Sequence, residues 1–207
     1  MDHNSPTLAD AKTRLLRAAV HVIRAKGYAG TSVDELCKAA GVTKGAFFHH
    51  FKTKEDLALA AVDHFASQTA GVYATASFSQ ASDPLDRVLG YIEFRGNLLR
   101  GELSGCTCLL GTLVQEAFET HPAIRVACDK HIVEHAAWVA RDIAAAKAMY
   151  VPDAPWSAES LALCIQSAFQ GAFVLAKAAN SPDVGVECLG HLMRYVEGLF
   201  SKHEQSD

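Results

Sequence analysis

The sequence lacks the features that mark secreted, membrane-spanning and disordered proteins. Its 207 residues contain no uninterrupted run of 18 or more apolar residues, and no basic segment followed by an apolar stretch opens the chain. Internal repeats and low-complexity tracts are also missing, and the six cysteines form no close-spaced framework. We therefore expect a soluble, cytoplasmic protein with reduced thiols and no membrane partner.

Strand patterns and catalytic signatures are missing as well. No alternation of apolar and polar residues bounded by hairpin turns occurs, so we predict an all-α fold. The cysteines and histidines show no arrangement of nucleophile, base and oxyanion hole, so we expect neither an enzyme nor a cofactor. Cys128, His131 and His135 have the spacing of one helix face and are metal-ligand types, but no second ligand cluster accompanies them, and we predict no metal site.

Residues 31–54 carry the most informative pattern of the chain. Ser32 can cap a helix while Glu35, three residues later, reaches back to it, so a helix is predicted to begin at Val33. Gly41 can take the left-handed conformation that ends such a helix. A turn of three residues follows, and Thr43 can then cap a second short helix.

The second helix is predicted over Lys44 to about His50, with lysines at its start and beyond its end. Two short helices joined by a glycine-containing turn form a helix-turn-helix, a motif whose second helix reads the DNA major groove. Thr53 and Asp56 are expected to cap a third helix whose first turn carries Lys54 near the same surface.

The charge distribution agrees with a local DNA-binding surface. Through Asp56 there are nine Lys or Arg and six Asp or Glu, a balance of about +3, whereas the remainder has ten against 17, about −7. The whole-chain net charge of −4 argues against a protein that coats nucleic acid nonspecifically. We predict a DNA-binding domain over residues 1–56 and a helical effector-binding and dimerisation domain over residues 57–207.

Three segments resemble the N-terminal pattern of the TetR family of bacterial transcriptional regulators: residues 27–32 (GYAGTS), 40–45 (AGVTKG) and 48–54 (FHHFKTK). The resemblance implies a homodimer, most often a repressor. Each subunit would place its second motif helix in a major groove. A larger C-terminal domain would bind an effector that alters the spacing of the two DNA-binding domains. Phe48 departs from the family pattern, which usually has Tyr there, so a hydroxyl that could donate to a phosphate is absent.

The predicted DNA-binding residues share one trait, their position within or next to the helix-turn-helix. They are Thr31, Ser32, Thr43, Lys44, Gly45, Phe47, Phe48, His49, His50, Lys52 and Lys54. Hydroxyls and lysines would contact phosphates, Gly45 would let the DNA approach closely, and Phe47 would touch a thymine methyl group. Helix capping, packing and simple solvent exposure are the alternative roles, and the sequence leaves these open.

The rest of the chain reads as helices of ordinary length. Capping residues, glycines and prolines place them at about 7–26, 54–76, 85–103, 106–118, 123–149, 157–179 and 183–201, with Thr7 capping the first. The last two carry apolar or small residues around most of their circumference. We therefore predict a four-helix dimer interface with close crossing at Ala168 and Gly171. Dimerisation predicts an inverted-repeat operator with half-sites roughly 34 to 36 Å apart.

The effector is the least defined part of the prediction. Six apolar side chains could line a cavity or fill a core: Phe94, Leu98, Leu110, Phe118, Trp138 and Phe169. Cys106 follows Gly105 at a predicted helix start, where the helix dipole lowers a thiol pKa. The segment resembles that of the NemR-like branch of the family, which senses electrophiles and oxidants. A small buried filler is the alternative for Cys106, and a helical small-molecule or protein-binding module without operator recognition is the alternative for the chain.

Overall fold

The computed structural model describes residues 8–101 and 107–201, which form helices joined by short turns, with no strand among them. In chain order the helices are α1 (Leu8–Lys26), α2 (Val33–Ala40), α3 (Lys44–His50), α4 (Lys54–Thr75), a 3-10 helix (Ser77–Gln80), α5 (Pro84–Leu98), α6 (Leu109–Ala117), α7 (Pro122–Tyr150), α8 (Ala158–Ala179) and α9 (Pro182–Phe200). The all-α prediction is confirmed.

Helix boundaries follow the local chemistry of the chain. Asp83, Ser157 and Ser181 each accept a hydrogen bond from a backbone N–H in the first turn of the helix they precede. Asn180 adopts φ 49°, the left-handed conformation that ends α8. The predicted cap at Thr7 lies outside the described residues.

Two predicted boundaries around the middle of the chain need correction. Helix α5 ends at Leu98 and not near residue 103, because the N–H groups of residues 99–101 bond to carbonyls three residues back in a tight turn. Helix α6 begins at Leu109, with Cys108 as its N-cap residue, and not near residue 106. Cys106 itself lies outside the described residues.

The described residues divide into two compact units. The head unit is the described part of Met1–Thr69 and Cys108–His131, and the body unit is that of Ala70–Thr107 and Ile132–Asp207. Helices α4 and α7 each contribute residues to both. The division predicted between residues 56 and 57 separates two functions, DNA binding and effector binding, and it stays a prediction. By packing, residues 108–131 belong to the same unit as the helix-turn-helix.

The head unit is built around α1, which packs against α2, α3 and α6. Its core contains Leu15, Ile23, Leu36 and Leu57, none of them more than 1% exposed. Burial of such side chains contributes about 1.5–3 kcal/mol each to folding. The core thereby holds the two motif helices at a fixed angle to α1.

In the body unit, α9 packs against both α8 and α5. Ile165, Phe169 and Val196 are fully buried at these contacts. By length and composition alone, α8 is apolar enough to cross a membrane, and 44% of its apolar 18-residue stretch is buried within the protein.

Candidate nucleic-acid interface

The first motif helix begins with the predicted capping box. Ser32 Oγ accepts from the Glu35 backbone N–H at 3.2 Å, and Glu35 Oε2 accepts from the Ser32 N–H at 3.1 Å. Lys26 Nζ also donates to the Glu35 carboxylate at 2.6 Å, and this hydrogen bond is the main reason that the pKa of Glu35 falls to about 2. Glu35 is therefore ionised at neutral pH, and the start of α2 is fixed.

The turn between the two motif helices depends on Gly41. Its φ of 61° lies in the left-handed region, and its N–H faces the carbonyls of Cys37 and Lys38. Arg14 of α1 donates from Nη1 to the Gly41 carbonyl at 3.1 Å. Helix α1 therefore anchors the turn directly, a contact that sequence spacing could not reveal.

The second motif helix starts where predicted. Thr43 Oγ1 accepts from the Ala46 N–H at 3.1 Å, so the cap at Thr43 is confirmed and α3 runs from Lys44. Thr53 and Asp56 cap α4 reciprocally at 3.0 Å. The two caps therefore fix the start of α3 and the start of α4.

Phe47 points into the protein, so the expectation that it faces outward and touches DNA is wrong. Its side chain is 0% exposed, and its ring contacts the ring of Phe51 at 6.0 Å. One residue further along a helix the direction turns by about 100°. Phe48, at 55% exposure, therefore takes the outward position.

The solvent-facing side of the motif keeps most of the predicted DNA-binding residues. The exposed residues among those predicted are Ser32 at the start of α2, and Thr43, Lys44, Gly45, Phe48, His49 and Lys52 on or next to α3. Lys44 Nζ contacts Asp34 Oδ1 at 2.6 Å, and this hydrogen bond raises the pKa of Lys44. Both partners are exposed, and exposed ion pairs are weak, so a phosphate can replace Asp34 as the partner of Lys44.

Thr31 and Lys54 both make hydrogen bonds within the loop between α1 and α2. Thr31 is 2% exposed, and its hydroxyl donates to the Gly27 carbonyl at 2.6 Å. Lys54 Nζ donates to the carbonyls of Tyr28 and Thr31 at 2.9 and 3.0 Å and lies 4.1 Å from the centre of the Tyr28 ring. These contacts tie both side chains to the loop between α1 and α2. The burial of Thr31 argues against a DNA contact by its side chain, whereas the phosphate contact of Lys54 stays a prediction.

His50 is half-buried beside the exposed His49. The two rings meet edge to face at 4.9 Å, and His50 Nε2 is buried with no hydrogen-bond partner among the described residues. The alternative interpretation of His50 as a packed histidine therefore fits its position better than a phosphate contact does.

The predicted effector residues are divided between the two units. Phe94, Trp138 and Phe169 belong to the body unit, whereas Leu110 and Phe118 belong to the head unit. Leu98 and Phe118 are 46% and 61% exposed. In the body unit, Phe94 and Trp138 both contact the ring of Tyr73 at 6.0 Å, and Phe169 contacts that of Tyr91 at 5.6 Å.

A buried polar network that no sequence pattern indicates lies among these aromatic rings. Tyr91 Oη accepts from Arg95 Nη1 at 3.0 Å and from Gln166 Nε2 at 2.9 Å, and it lies 2.7 Å from His135 Nε2. Burial, with a smaller effect of the Arg95 charge, lowers the pKa of His135 to about 4, so His135 is neutral and can accept a hydrogen bond from the Tyr91 hydroxyl. No recognisable sequence motif connects these four residues, which lie on α5, α7 and α8. Only Tyr91 and Arg95 have the i, i+4 spacing of neighbours on one helix face.

The three residues considered as metal ligands have different surroundings. Cys128 is fully buried, and burial raises its pKa to about 12. His131 Nε2 lies 2.7 Å from Asp63 Oδ1, and His135 belongs to the Tyr91 network. Within residues 8–101 and 107–201, no three His, Cys, Asp or Glu side chains are grouped to hold a metal ion.

The similarity of this chain to known proteins extends beyond the helix-turn-helix. Residues 15–61 match the model of bacterial regulatory proteins of the tetR family, and residues 84–184 match that of the LmrA/YxaF-like transcriptional regulator C-terminal domain. The chain is 33% identical over 114 residues to the transcriptional regulator AcuR of Cereibacter sphaeroides, covering 54% of this chain and 51% of AcuR. It is 30% identical over 130 residues to the transcriptional repressor NemR of Escherichia coli, covering 61% of this chain and 64% of NemR.

These matches thus span about half to two thirds of the length of the curated relatives. Solved structures cover more of the chain. The reduced form of E. coli NemR superposes with a TM-score of 0.81 at 22% identity, over 94% of this chain and 99% of NemR, which shows a shared fold. The regulatory protein TetR from Rhodobacter sphaeroides superposes with a TM-score of 0.81 at 27% identity, over 92% and 99% of the two chains.

Phe47 and its neighbour Phe48 allow a matched test of the orientation of α3. We expect Phe47→Ala to lower the free energy of unfolding by about 3–5 kcal/mol, because it leaves a cavity in the head core. Phe48→Ala should change it by less than about 0.5 kcal/mol, since Phe48 is a surface side chain. Urea unfolding at one fixed protein concentration measures both, and equal effects would show that α3 is rotated from the orientation described.

Proposed function

Because the chain belongs to the TetR family of bacterial transcriptional regulators, we propose that it is a dimeric, cytoplasmic repressor that binds an inverted-repeat operator. Regulators of this family are DNA-binding proteins that act as dimers with small-molecule effectors. The observation that carries the proposal is the exposed surface of α3, the reading surface. On it, Gly45, which has no side chain, lies between Lys44 and Phe48.

Each exposed group on this surface has a chemistry that fits DNA. A Cβ added at Gly45 would meet only Thr43 Oγ1, at 3.7 Å, outside the backbone of its own helix, so a phosphate or base edge can approach the chain there. Lys44 and Lys52 supply positive charge at the two ends of α3 for phosphates. Phe48, and not Phe47, is the apolar side chain available for a thymine methyl group.

Removing one of these lysines should weaken specific binding and reduce its dependence on salt. For Lys44→Ala or Lys52→Ala, we expect the slope of log K against log salt to fall by about 0.9, the value for one lost phosphate contact. Fluorescence anisotropy with DNA from upstream of the gene, competed with unrelated DNA, measures this. Lys130→Ala, an exposed lysine on α7, is the control and should leave the slope unchanged. An unchanged slope in all three variants would contradict the assigned surface.

The proposed dimer forms through the outer face of α8 together with α9. Exposed or half-buried positions spaced by three or four residues run along α8 without a single charged side chain: Ser160, Leu163, Cys164, Ser167, Ala168, Gly171, Val174, Leu175 and Ala178. Leu163, Val174 and Leu175 are each about half exposed, at 52%, 50% and 49%. A stripe of this length is apolar enough to need a cover, and a second copy is the cover that this family uses.

A charge placed on this stripe should separate the subunits. We expect Leu175→Glu to weaken dimerisation at least about 100-fold, because two-fold symmetry brings two buried carboxylates into one interface. Met149→Glu, at a position on α7 that is 62% exposed, is the control and should remain dimeric. Sedimentation at micromolar concentration distinguishes the two; a wild-type monomer, or a Leu175→Glu dimer as tight as wild type, would exclude this interface.

We place the effector contacts in the body unit, at the aromatic side chains around the Tyr91 network. Phe94, Trp138 and Phe169 supply apolar contacts there, and the network supplies fixed donors that could orient a polar group. Cysteine modification is the second route to release. It is supported by the likeness to NemR, whose solved structure is of a reduced form, and it rests on Cys106 rather than on Cys128, which burial keeps protonated.

The thiol route predicts a response that one substitution removes. Treatment with a thiol-reactive quinone should abolish operator binding by the wild type but not by Cys106→Ser, since the nucleophile is then absent. Cys108→Ser, at a half-buried cysteine outside the proposed dimer stripe, is the control and should respond as the wild type does. The measurement is operator anisotropy before and after treatment. Binding that is indifferent to the quinone in every variant would leave a noncovalent ligand as the effector.

A further inference from the structure

The loop between α1 and α2, residues 27–32, is fixed within the head unit from several sides. Gly27 ends α1 with φ 83°, a conformation that favours glycine, and its carbonyl accepts from the Thr31 hydroxyl. Lys54, at the start of α4, donates to two backbone carbonyls of the loop. Ser32, the last loop residue, is the cap of α2. The position of the loop therefore sets the start of the first motif helix.

A carboxylate from a distant part of the chain completes these contacts. Glu116, near the end of α6, accepts at Oε2 from the Ala29 backbone N–H at 2.8 Å, across 87 residues of sequence. Its other oxygen, Oε1, occupies the space beside Gly27, and a Cβ added at that glycine would overlap with it. The glycine is thus required both by its positive φ and by the carboxylate that lies against it.

The same segment contacts the loop at a second point. The His121 ring, in the turn between α6 and α7, meets the Tyr28 ring edge to face at 5.0 Å. Tyr28 is 4% exposed, and its other contacts include the Lys54 ammonium group. Residues 108–131, outside the helix-turn-helix in sequence, therefore hold the loop through one hydrogen bond and one ring contact.

We propose that Glu116 is a positioning residue for operator binding: it fixes the α1–α2 loop by accepting from the Ala29 N–H and filling the space beside Gly27. The proposal rests on the proposed operator-binding function. Without this acceptor the loop gains freedom, and that freedom must be lost again when the head docks on DNA. Because the loop ends at the cap of α2, and α2 packs on α3, the loss is transmitted to the reading surface.

Three variants at this turn separate the hydrogen bond from general effects. Glu116→Ala should weaken specific operator binding about three- to tenfold, the change that corresponds to one net hydrogen bond. Glu116→Gln should bind within about twofold of wild type, since its amide oxygen can still accept from Ala29. Glu119→Ala, an exposed glutamate three residues later, is the matched control and should bind as wild type.

A double-mutant cycle with Gly27 tests the contact itself. Gly27→Ala alone should weaken operator binding, because the methyl group meets the carboxylate and the residue is strained at positive φ. In the Glu116→Ala background the first cause is absent, so the loss caused by Gly27→Ala should be smaller there. Equal losses in both backgrounds would contradict the contact.

Hydrogen exchange of residues 27–32 gives a readout that does not need DNA. The Ala29 amide should exchange faster in Glu116→Ala than in wild type, Glu116→Gln and Glu119→Ala. Wild-type affinity together with wild-type exchange in Glu116→Ala overturns the proposal. If that variant does not fold, Glu116→Met, which keeps the length of the side chain but offers only a weak sulfur acceptor, takes its place. A wild-type protein without any specific DNA site would contradict the proposed function instead, while the exchange measurement would still decide the role of Glu116.

Discussion

The burial of Phe47 is the constraint on which the reading surface depends. Helix α3 has only seven residues, so the side chain that packs inward decides which others face solvent. With Phe47 fully buried, Lys44, Phe48 and His49 are exposed, and Gly45 lies open between them. The short helix has little stability of its own, and its orientation is therefore a property of the head core rather than of α3.

Contacts around this core explain how a short motif can be rigid. Arg14 holds the turn at Gly41, Lys54 holds the loop before α2, and Glu116 holds the same loop from a segment 87 residues beyond Ala29. Each contact ends on a backbone group at a turn, where no helix supplies the partner. Helices α1 and α4 and residues 108–131 thus complete the packing of the helix-turn-helix. The first 56 residues do not form a packing unit by themselves.

The parts of the fold that were predictable depend on local chemistry. Ser32 and Glu35, Gly41, Thr43, and Thr53 with Asp56 set helix ends through neighbours three or four residues away, and the structure confirms them. The sequence could not give the direction of Phe47, the burial of Thr31 or the inward contacts of Lys54, because these depend on helices that are distant in sequence. The same reason hid the Tyr91 network, whose members lie on three helices.

Selection of bound sequences from a random DNA pool by the purified wild-type protein tests the central claim most directly. Two α3 helices presented by a symmetric dimer should enrich an inverted repeat whose half-sites are centred about one helical turn, 10–10.5 base pairs, apart or a multiple of it. Enrichment of no motif, or of a single half-site without symmetry, would contradict the account. It would indicate a helical ligand- or protein-binding module whose motif no longer reads an operator.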